Sequence, residues 1–525
     1  MLKAITLASI AAAFCINLYF CLIFLRGYWQ REDKKITAGL LLNALIIAML
    51  AAEHCLPVRG GYDSALCFGI ARETFFSLKS TYKEISPVLA YTITDLISQK
   101  SLHALLLQNM ALSLINALML FSCLRRIRLG MAAALCGTAF FCINFNNLIA
   151  AASMASTQCN LFYFISALAA ALTPFYIQDI KKEYGKMLIW LISSSVLVIT
   201  SRAELAPVPL LIFAAGILSK KRISEIPPLF SQKRKYIAMA GLAVCLICSI
   251  NVLSGEGFKN RFGAHSPYIN AVYQTVSNNF AMMAGNKAFL GKFSPPPLRH
   301  HIIFILCMGF AAFGCILFCG KYSDTEEKKK KIAISAAFFL AAAFLSFMYS
   351  PKDAYPLHFV RQRLYLFMAL PFIVSFAAEG FFSKTGKKRA FIALISVLLA
   401  VYSFMNIKTA FSLNEEQRTD DKIWQFLIKN QEYISKKYDK MNFGKEWETS
   451  AVGILDKYYF PKYHERRKIA FFTPEYFLMN PKEKTGFSSK YAPISTEKTA
   501  YRHYFLPKMG VFEGQATEFG FYLPK

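Results

Sequence analysis

Long apolar runs separated by short basic connections fill residues 1–410 of the chain. About 20 apolar residues in a helix cross the roughly 30 Å of hydrocarbon in a bilayer. The pattern therefore predicts an α-helical polytopic membrane protein with about 12 transmembrane helices. The predicted spans are residues 4–25, 37–52, 102–124, 131–143, 158–176, 187–200, 206–218, 236–253, 301–320, 332–348, 364–382 and 390–409.

Two of these runs, 187–200 and 206–218, are short for full spans. A polar turn over residues 201–207 separates them, and lysines flank the pair on both sides. The chain must therefore return to the side it left, so we predict a hairpin of short helices meeting at this turn. Irregular backbone at membrane depth is tolerated only against protein or a water-filled cavity.

The basic residues show which side of the membrane each connection occupies. The chain has 55% hydrophobic and 18% charged residues and a net charge of +28, which in a soluble protein would suggest a nucleic-acid partner. Here the charge lies in short connections, as the positive-inside rule describes, so no nucleic-acid partner is expected. These connections are residues 26–35, 125–128, 181–182, 220–222 with 233–235, 328–331, and 384 with 387–389.

The other connections then fall on the outer side. They are the predicted outer loops 53–101, 255–300 and 350–363, which carry mixed polar and aromatic residues. Residues 411–525 have the composition of a small globular α+β domain, and the same alternation makes it extracytoplasmic. No Asn-x-Ser/Thr sequence occurs, which favours the bacterial cytoplasmic (inner) membrane. We expect membrane lipids to surround the spans.

Asp63 is the first candidate for chemistry. It follows the flexible segment Arg59-Gly60-Gly61-Tyr62, where a carboxylate at the mouth of a cavity is placed to act as a general base towards an acceptor hydroxyl. The alternative is an ordinary loop or helix-capping aspartate. Glu53 and His54 are placed to line the same cavity.

Arginines on the outer side are the second group of candidates. Arg361 and Arg363 precede the run 364–382, and a guanidinium matches phosphate oxygens in geometry. The alternative is that they anchor the chain at the lipid headgroups. Arg202 and Glu204 either bind a ligand or pair with each other across their turn. No zinc-protease, Walker or serine-hydrolase motif occurs, and no metal ligands are assigned.

Three segments together resemble the GT-C superfamily of polytopic membrane glycosyltransferases. They are Arg59-Gly60-Gly61-Tyr62-Asp63 in the first outer loop, Ser86-Pro87-Val88-Leu89-Ala90-Tyr91 before the next span, and residues 363–371 from Arg363 and Tyr365 to Pro371. The resemblance implies that a sugar (hexosyl or pentosyl) moves from a polyprenyl-phosphate carrier to a lipid-linked or surface glycan acceptor on the outer face.

The resemblance also implies roles for particular residues. Asp63 would be catalytic. The residues expected to bind the substrate or its phosphate are Arg59, Arg202, Glu204, Arg361, Arg363 and Tyr365, and those expected to line the cavity are Glu53, His54 and Tyr91. No cofactor is assigned, and dependence on a divalent cation is left open.

Three other functions remain alternatives. A polysaccharide polymerase or ligase also acts on lipid-linked glycans with outward-facing arginines. A lipid or glycan transporter would show symmetry between the two halves of the chain, and the sequence shows no internal repeat. A non-enzymatic scaffold needs no site residue at all.

Overall fold

The computed structural model describes the chain in segments separated by gaps. The described residues are 2–29, 34–52, 85–98, 102–152, 156–177, 180–220, 245, 298–348, 368–383, 388–416, 425–426, 429–430, 441–443, 469–472, 489–503 and 512–524. The statements that follow concern these residues.

Helices make up almost all of the described membrane part. Helices in the first half of the chain are α1 (Leu2–Trp29), α2 (Lys34–Ala52), α3 (Ile85–Ile97), α4 (Leu102–Arg126), α5 (Met131–Cys142), α6 (Phe145–Ala151), α7 (Thr157–Tyr176), α8 (Ile180–Arg202) and α9 (Pro207–Lys220), with a 3₁₀ turn over Ala203–Leu205. After a gap come α10 (Leu298–Gly320), α11 (Thr325–Met348), α12 (Leu370–Phe382) and α13 (Lys388–Glu416).

Every predicted span except 236–253 overlaps one of these helices, and 236–253 lies outside the described residues apart from the helical Cys245. Within the described part of the chain, five helices are long and apolar enough to cross a membrane, and α5 with α6 forms one further bent pair. The chain is therefore a multi-pass membrane protein.

Helix α8 differs from its prediction. It has 23 residues rather than the 14 of a short hairpin arm, because the polar residues before residue 187 also adopt helical structure. Of the two predicted hairpin arms, only α9, with 14 residues, is short. Helix α12 begins at Leu370, later than the predicted residue 364, and Pro371 occupies its first turn, where a missing backbone N–H costs nothing.

A break between α5 and α6 was not predicted. The two helices meet at an angle of 64°, and the Asn144 side chain caps α6 by accepting a hydrogen bond from the Asn146 backbone N–H at 3.0 Å. From α13, Asn406 Oδ1 accepts the backbone N–H of Phe145 at 3.0 Å. Tyr402 of α13 stacks on Phe140, with ring centroids 4.7 Å apart. The freed backbone groups are thus satisfied by a neighbouring helix, as membrane burial requires.

Helix α7 is the centre of the bundle. All of its residues from 157 to 174 are buried, and it packs against α4, α8 and α9. Amide side chains at its start tie it to its neighbours: Asn116 Nδ2 donates to Gln158 Oε1 at 3.1 Å, and Gln158 Nε2 donates to Asn147 Oδ1 at 2.9 Å. Hydrogen bonds between helices specify packing where lipid offers no hydrophobic driving force.

Three connections rich in charge meet at one end of the bundle, which we call the basic end. Its cluster consists of Arg128, Lys321, Glu327, Lys331 and Glu379. Lys321 Nζ lies 2.6 Å from Glu379 Oε1, and the other oxygen of Glu379 accepts the backbone N–H of Gly130 at 2.8 Å.

The remaining contacts of this cluster connect α11 with the end of α4. Lys331 Nζ donates to the carbonyl oxygen of Ile127 at 2.8 Å, and Arg128 Nη1 lies 3.6 Å from Glu327 Oε1. Connections that are far apart in sequence therefore share one side of the bundle, which is the arrangement that the positive-inside pattern requires.

A four-stranded mixed sheet forms the described part of the C-terminal region. Its strands are β1 (Met441–Phe443), β2 (Ile469–Phe472), β3 (Tyr491–His503) and β4 (Phe512–Pro524), in the order β1-β2-β4-β3. Strands β1 and β2 are parallel, and the other two pairs are antiparallel. The hairpin of β3 and β4 was not predicted.

Candidate functional site

Helix α8 ends where its backbone leaves the helical region at Arg202, with φ −143° and ψ 80°. The 3₁₀ turn Ala203–Leu205 follows, and α9 begins at Pro207, a residue favoured at the first position of a helix. The chain therefore reverses direction at this break with almost no connecting loop. The break places two charged residues, Arg202 and Glu204, inside the protein.

Arg202 and Glu204 form a buried ion pair. Their side chains are only 6% and 8% exposed, and Arg202 Nη1 lies 3.7 Å from Glu204 Oε1. This distance is longer than the roughly 2.7–2.9 Å of a charge-assisted hydrogen bond. Buried charges are expensive unless they are compensated, so a pair at a helix break needs a structural or functional reason.

The start of α3 packs against the last turn of α8. The hydroxyl groups of Ser86 and Thr200 form a hydrogen bond, and Tyr163 of α7 donates its hydroxyl to the backbone carbonyl oxygen of Ser86 at 3.1 Å. Ser86, Tyr163 and Thr200 are all essentially inaccessible to solvent. We call these three residues together with Arg202 and Glu204 the helix-break cluster.

Tyr91 lies one and a half turns further along α3. It is fully buried, and its hydroxyl donates to Asn109 Oδ1 of α4 at 2.7 Å. The structure therefore places Tyr91 in the contact between α3 and α4, near the helix-break cluster.

The helix-break cluster and the basic end lie far apart. Helix α8 begins just after Tyr176, whose ring lies 5.6 Å from the Arg126 guanidinium at the basic end. A helix of 23 residues is about 34 Å long. Since Arg202 is its last residue, the cluster lies about one bilayer thickness from the basic end.

Most of the predicted site residues lie outside the described part of the chain. They are Glu53, His54, Arg59, Asp63, Arg361, Arg363 and Tyr365. Of the predicted set, the structure describes Tyr91, Arg202 and Glu204. It brings Arg202 and Glu204 together as the pairing alternative expected, and it places the segment that begins at Ser86 beside them.

Three contributors to this cluster and one to the basic end were missed by the sequence reasoning. Tyr163 and Thr200 gave no signal, because single hydroxyl residues are common in apolar helices, and Ser86 was noted only as the first residue of the segment 86–91. Glu379 did give one: it is a lone carboxylate within the apolar run 364–382. An ionisable residue inside such a run warrants a search for its partner.

No group of three or more His, Cys, Asp or Glu side chains with metal-binding geometry occurs among the residues that the structure describes. The helix-break cluster itself offers one carboxylate and three hydroxyls. Of these groups and the Arg202 guanidinium, only the guanidinium has the charge and geometry that suit an oxygen-rich anion such as a phosphate.

The fold and this cluster define a class: a multi-pass α-helical membrane protein with a C-terminal α+β domain and a buried ion pair at a helix break. Its structure is similar to the crystal structure of ArnT from Cupriavidus metallidurans bound to undecaprenyl phosphate. The superposition covers 91% of this chain and 98% of that chain, with a TM-score of 0.49 and 11% sequence identity.

The likeness concerns the overall arrangement and assigns no role to any residue of this chain. No protein-family model and no curated protein matches the sequence.

Proposed function

We propose that this protein is a membrane glycosyltransferase that moves a sugar from a polyprenyl-phosphate carrier to a lipid-linked or surface glycan acceptor on the outer face of a bacterial cytoplasmic membrane. The observation that supports this most directly is the buried Arg202 at the break between α8 and α9, about one bilayer thickness from the basic end. A lipid-bound phosphate is an anion that approaches a protein from within the membrane.

The proposed site combines two kinds of group. Arg202 is the phosphate-side group, with Glu204 setting its position and balancing its charge when no ligand is bound. Asp63 is the acceptor-side group, on the segment that leads into α3 at Ile85. Ser86, near the start of α3, contacts Thr200, two residues before the phosphate-side group.

The proposed step forms one bond and breaks one. The acceptor hydroxyl oxygen bonds to the anomeric carbon of the sugar, and its proton passes to the Asp63 carboxylate. The bond between the anomeric carbon and the phosphate oxygen breaks, and its electron pair remains on the carrier phosphate. Arg202 stabilises that growing negative charge, an electrostatic contribution that is large in a site shielded from water.

Arg59, Arg361, Arg363 and Tyr365 are proposed to complete the phosphate and sugar contacts, and Glu53, His54 and Tyr91 to shape the cavity. The domain of residues 411–525 is proposed to cover the site or hold the acceptor on the extracytoplasmic side. A requirement for a divalent cation is tested directly by adding a chelator to the transfer reaction.

The test is mass spectrometry of surface glycans and carrier-linked sugars in wild-type, deletion and complemented strains. We expect the deletion to lose one sugar while its polyprenyl-phosphate donor accumulates. Complementation with Asp63→Ala should restore nothing, and Arg202→Lys should lower transfer by about 100-fold, since the lysine keeps the charge but loses the guanidinium geometry.

Arg128→Lys is the matched control, because Arg128 is 62% exposed at the basic end and contacts Glu327 in a comparable way. It should transfer at the wild-type rate. Accumulation of single glycan repeat units in the deletion strain would instead support the polymerase or ligase. Unchanged glycans and donors would reject both enzymes, and normal transfer by Asp63→Ala protein at normal abundance would reject the role of Asp63.

A further inference from the structure

Four side chains line the boundary between α10 and α11 near the basic end, and we call them the α10–α11 seam: Ile316, Cys319, Lys328 and Ile332. Cys319 faces α11, because its thiol lies 3.9 Å from the Ser335 hydroxyl. The same thiol lies within electrostatic range of the Lys328 ammonium group. Cys319 is half-buried and Lys328 is exposed. The seam is therefore open to the surroundings of the protein at Lys328.

Exposed apolar side chains continue the seam towards the bilayer interior. Ile316 lies about one turn before Cys319, so it is on the side of α10 that faces α11. Ile332 lies one turn after Lys328 on α11. Ile316 and Ile332 are 67% and 48% exposed. The seam thus presents an ammonium group at the basic end and apolar surface one turn deeper in the membrane.

The charge of Lys328 is not compensated within the described protein. Both carboxylates of the basic-end cluster are engaged by other lysines, Glu379 at 2.6 Å and Glu327 at 3.1 Å. The Asp324 carboxylate, one turn before Lys328, accepts backbone N–H groups of the first turn of α11 at 3.2 and 3.4 Å. Lys328 forms no ion pair with any residue that the structure describes. An anion from outside the chain is therefore the partner that suits it.

We propose that the α10–α11 seam binds one anionic phospholipid, with the lipid phosphate at Lys328 and an acyl chain along Ile316 and Ile332. Basic sites between transmembrane helices on the positively charged side of the protein suit such headgroups. A soluble phosphate gains nothing from the apolar part of the seam, whereas a lipid contacts both parts at once. The seam lies about one bilayer thickness from the helix-break cluster, so this proposal is independent of sugar transfer.

The experiment measures lipid binding to the full-length protein in detergent by native mass spectrometry. Phosphatidylglycerol, which is anionic, and phosphatidylcholine with the same acyl chains are titrated separately. We expect phosphatidylglycerol to bind about fivefold more tightly, and Lys328→Gln to lower its affinity by about fivefold, the contribution typical of one basic residue. Lys328→Arg keeps the charge and should bind phosphatidylglycerol within about twofold of wild type.

Lys329→Gln is the matched control. Lys329 is also exposed and the substitution removes the same charge. Lys328 lies two turns before Ser335 and therefore on the side of α11 that faces Cys319, whereas Lys329 is rotated by about 100° from Lys328 around the helix. We expect Lys329→Gln to bind phosphatidylglycerol within about twofold of wild type, because screened attraction at a distance is weak.

A second pair of variants tests the apolar part of the seam. Ile316→Ser should lower the affinity for phosphatidylglycerol by about threefold, since it removes apolar contact area with the acyl chain. Leu340→Ser is its control: Leu340 is 58% exposed, but it lies on the same side of α11 as Lys329. It should bind like the wild type. Glycerol 3-phosphate, the headgroup chemistry without acyl chains, should not displace the lipid.

Three results would overturn the proposal. Equal losses in Lys328→Gln and Lys329→Gln would mean that these lysines attract anionic lipids without forming a site. Equal affinities for the two phospholipids would mean that charge does not select the lipid. Displacement by glycerol 3-phosphate would mean that the seam binds phosphate alone. Thermal unfolding without added lipid should be the same for every variant, and a loss of binding that follows the unfolded fraction would also overturn the assignment.

Discussion

The basic-end cluster and the helix-break cluster both bury charged side chains, yet they are built differently. At the basic end, the bond between Lys321 and Glu379 is 2.6 Å long and joins residues 58 positions apart in sequence. At the helix break, the pair of Arg202 and Glu204 is 3.7 Å apart and joins residues of a single turn. The ion pair of Lys321 and Glu379 joins distant parts of the bundle, whereas the ion pair of Arg202 and Glu204 joins residues within one turn.

This difference shows how a buried charge can be assigned to stability or to function. Glu379 has both oxygens engaged, one with Lys321 of the connection after α10 and one with the backbone of Gly130 before α5. Removing the Glu379 carboxylate therefore removes contacts between α12 and two other parts of the bundle. Arg202 lies at a helix break, and its ion pair with Glu204 joins residues of a single turn, so under the proposed function we expect changes there to affect sugar transfer.

The largest effect that would test this comparison is expected for Glu379→Ala. It leaves the Gly130 N–H and the Lys321 ammonium without their shared partner, and breaking a buried pair in this way typically costs about 3–5 kcal/mol. We expect a cost at the low end of this range, about 3 kcal/mol, because Lys321 is 40% exposed and water replaces part of the lost contact. The measurement is thermal unfolding in detergent, followed by intrinsic fluorescence.

Glu379→Gln is the control for this change, since its amide oxygen still accepts the Gly130 N–H while the charge is lost. It should fall between wild type and Glu379→Ala in stability. The folded fraction of both variants should transfer sugar at the wild-type rate. A Glu379→Ala protein as stable as wild type, or one that is stable but inactive, would reverse the comparison.

A smaller loss is expected for Gly380→Ala, one residue further along α12. A methyl group there would overlap the carbonyl oxygen of Gly314 in α10 and lie 2.7 Å from the Phe318 backbone nitrogen. Small residues let membrane helices approach closely, and overpacking such a contact costs about 1–3 kcal/mol. The same unfolding assay should show a loss of about 2 kcal/mol.

Gly309→Ala on α10 is the matched control, because no described atom lies within 4 Å of a methyl group added there. Alanine is the better helix former, so this variant should be as stable as wild type or slightly more stable. Equal losses of stability in Gly380→Ala and Gly309→Ala would show that the contact of α10 with α12 is not tightly packed.

The membrane part of this fold could be predicted from hydropathy because burial in lipid constrains length and composition at once. Helices α1, α4 and α7 lie within a few residues of their predicted bounds, and α13 continues seven residues past its predicted end at residue 409. The bend between α5 and α6 could not be predicted, because it depends on Asn406, more than 250 residues away in sequence. The pattern of residues around the bend carries no information about a contact with so distant a residue.

The candidate site was predictable in part for the same reason. Arg202 and Glu204 stand out in sequence because charges are rare at membrane depth, and their pairing is local. Ser86, Tyr163 and Thr200 meet only when α3, α7 and α8 pack together, so their joint role needs coordinates. The hairpin of β3 and β4 was missed because Pro493 interrupts the strand pattern, and the register shifts beside it.

The smallest expected effect is a pH dependence that originates at Lys331, just before the apolar residues 332–348. Its side chain is buried, and its ammonium group faces Glu327, Glu379, Arg128, Lys330 and the ring of Tyr322. Burial lowers the pKa of Lys331 from its usual 10.5 to about 8. The folded protein therefore loses this proton at lower pH than the unfolded chain does.

Because the unfolded chain binds more protons than the folded protein between pH 8 and 10.5, stability should rise with pH across that window. Below pH 8 both states hold the proton and the cost of burying the charge is present in full. Between pH 7 and 9 the expected gain is about 1 kcal/mol, measured by thermal unfolding at a series of pH values. Lys331→Met removes the titrating group and should be more stable than wild type at pH 7, with no such rise.

A rise in stability of the same size in Lys331→Met would assign the effect to another group. A fall in the stability of the wild type over this pH range would mean that Glu327 and Glu379 hold the Lys331 charge more strongly than burial opposes it.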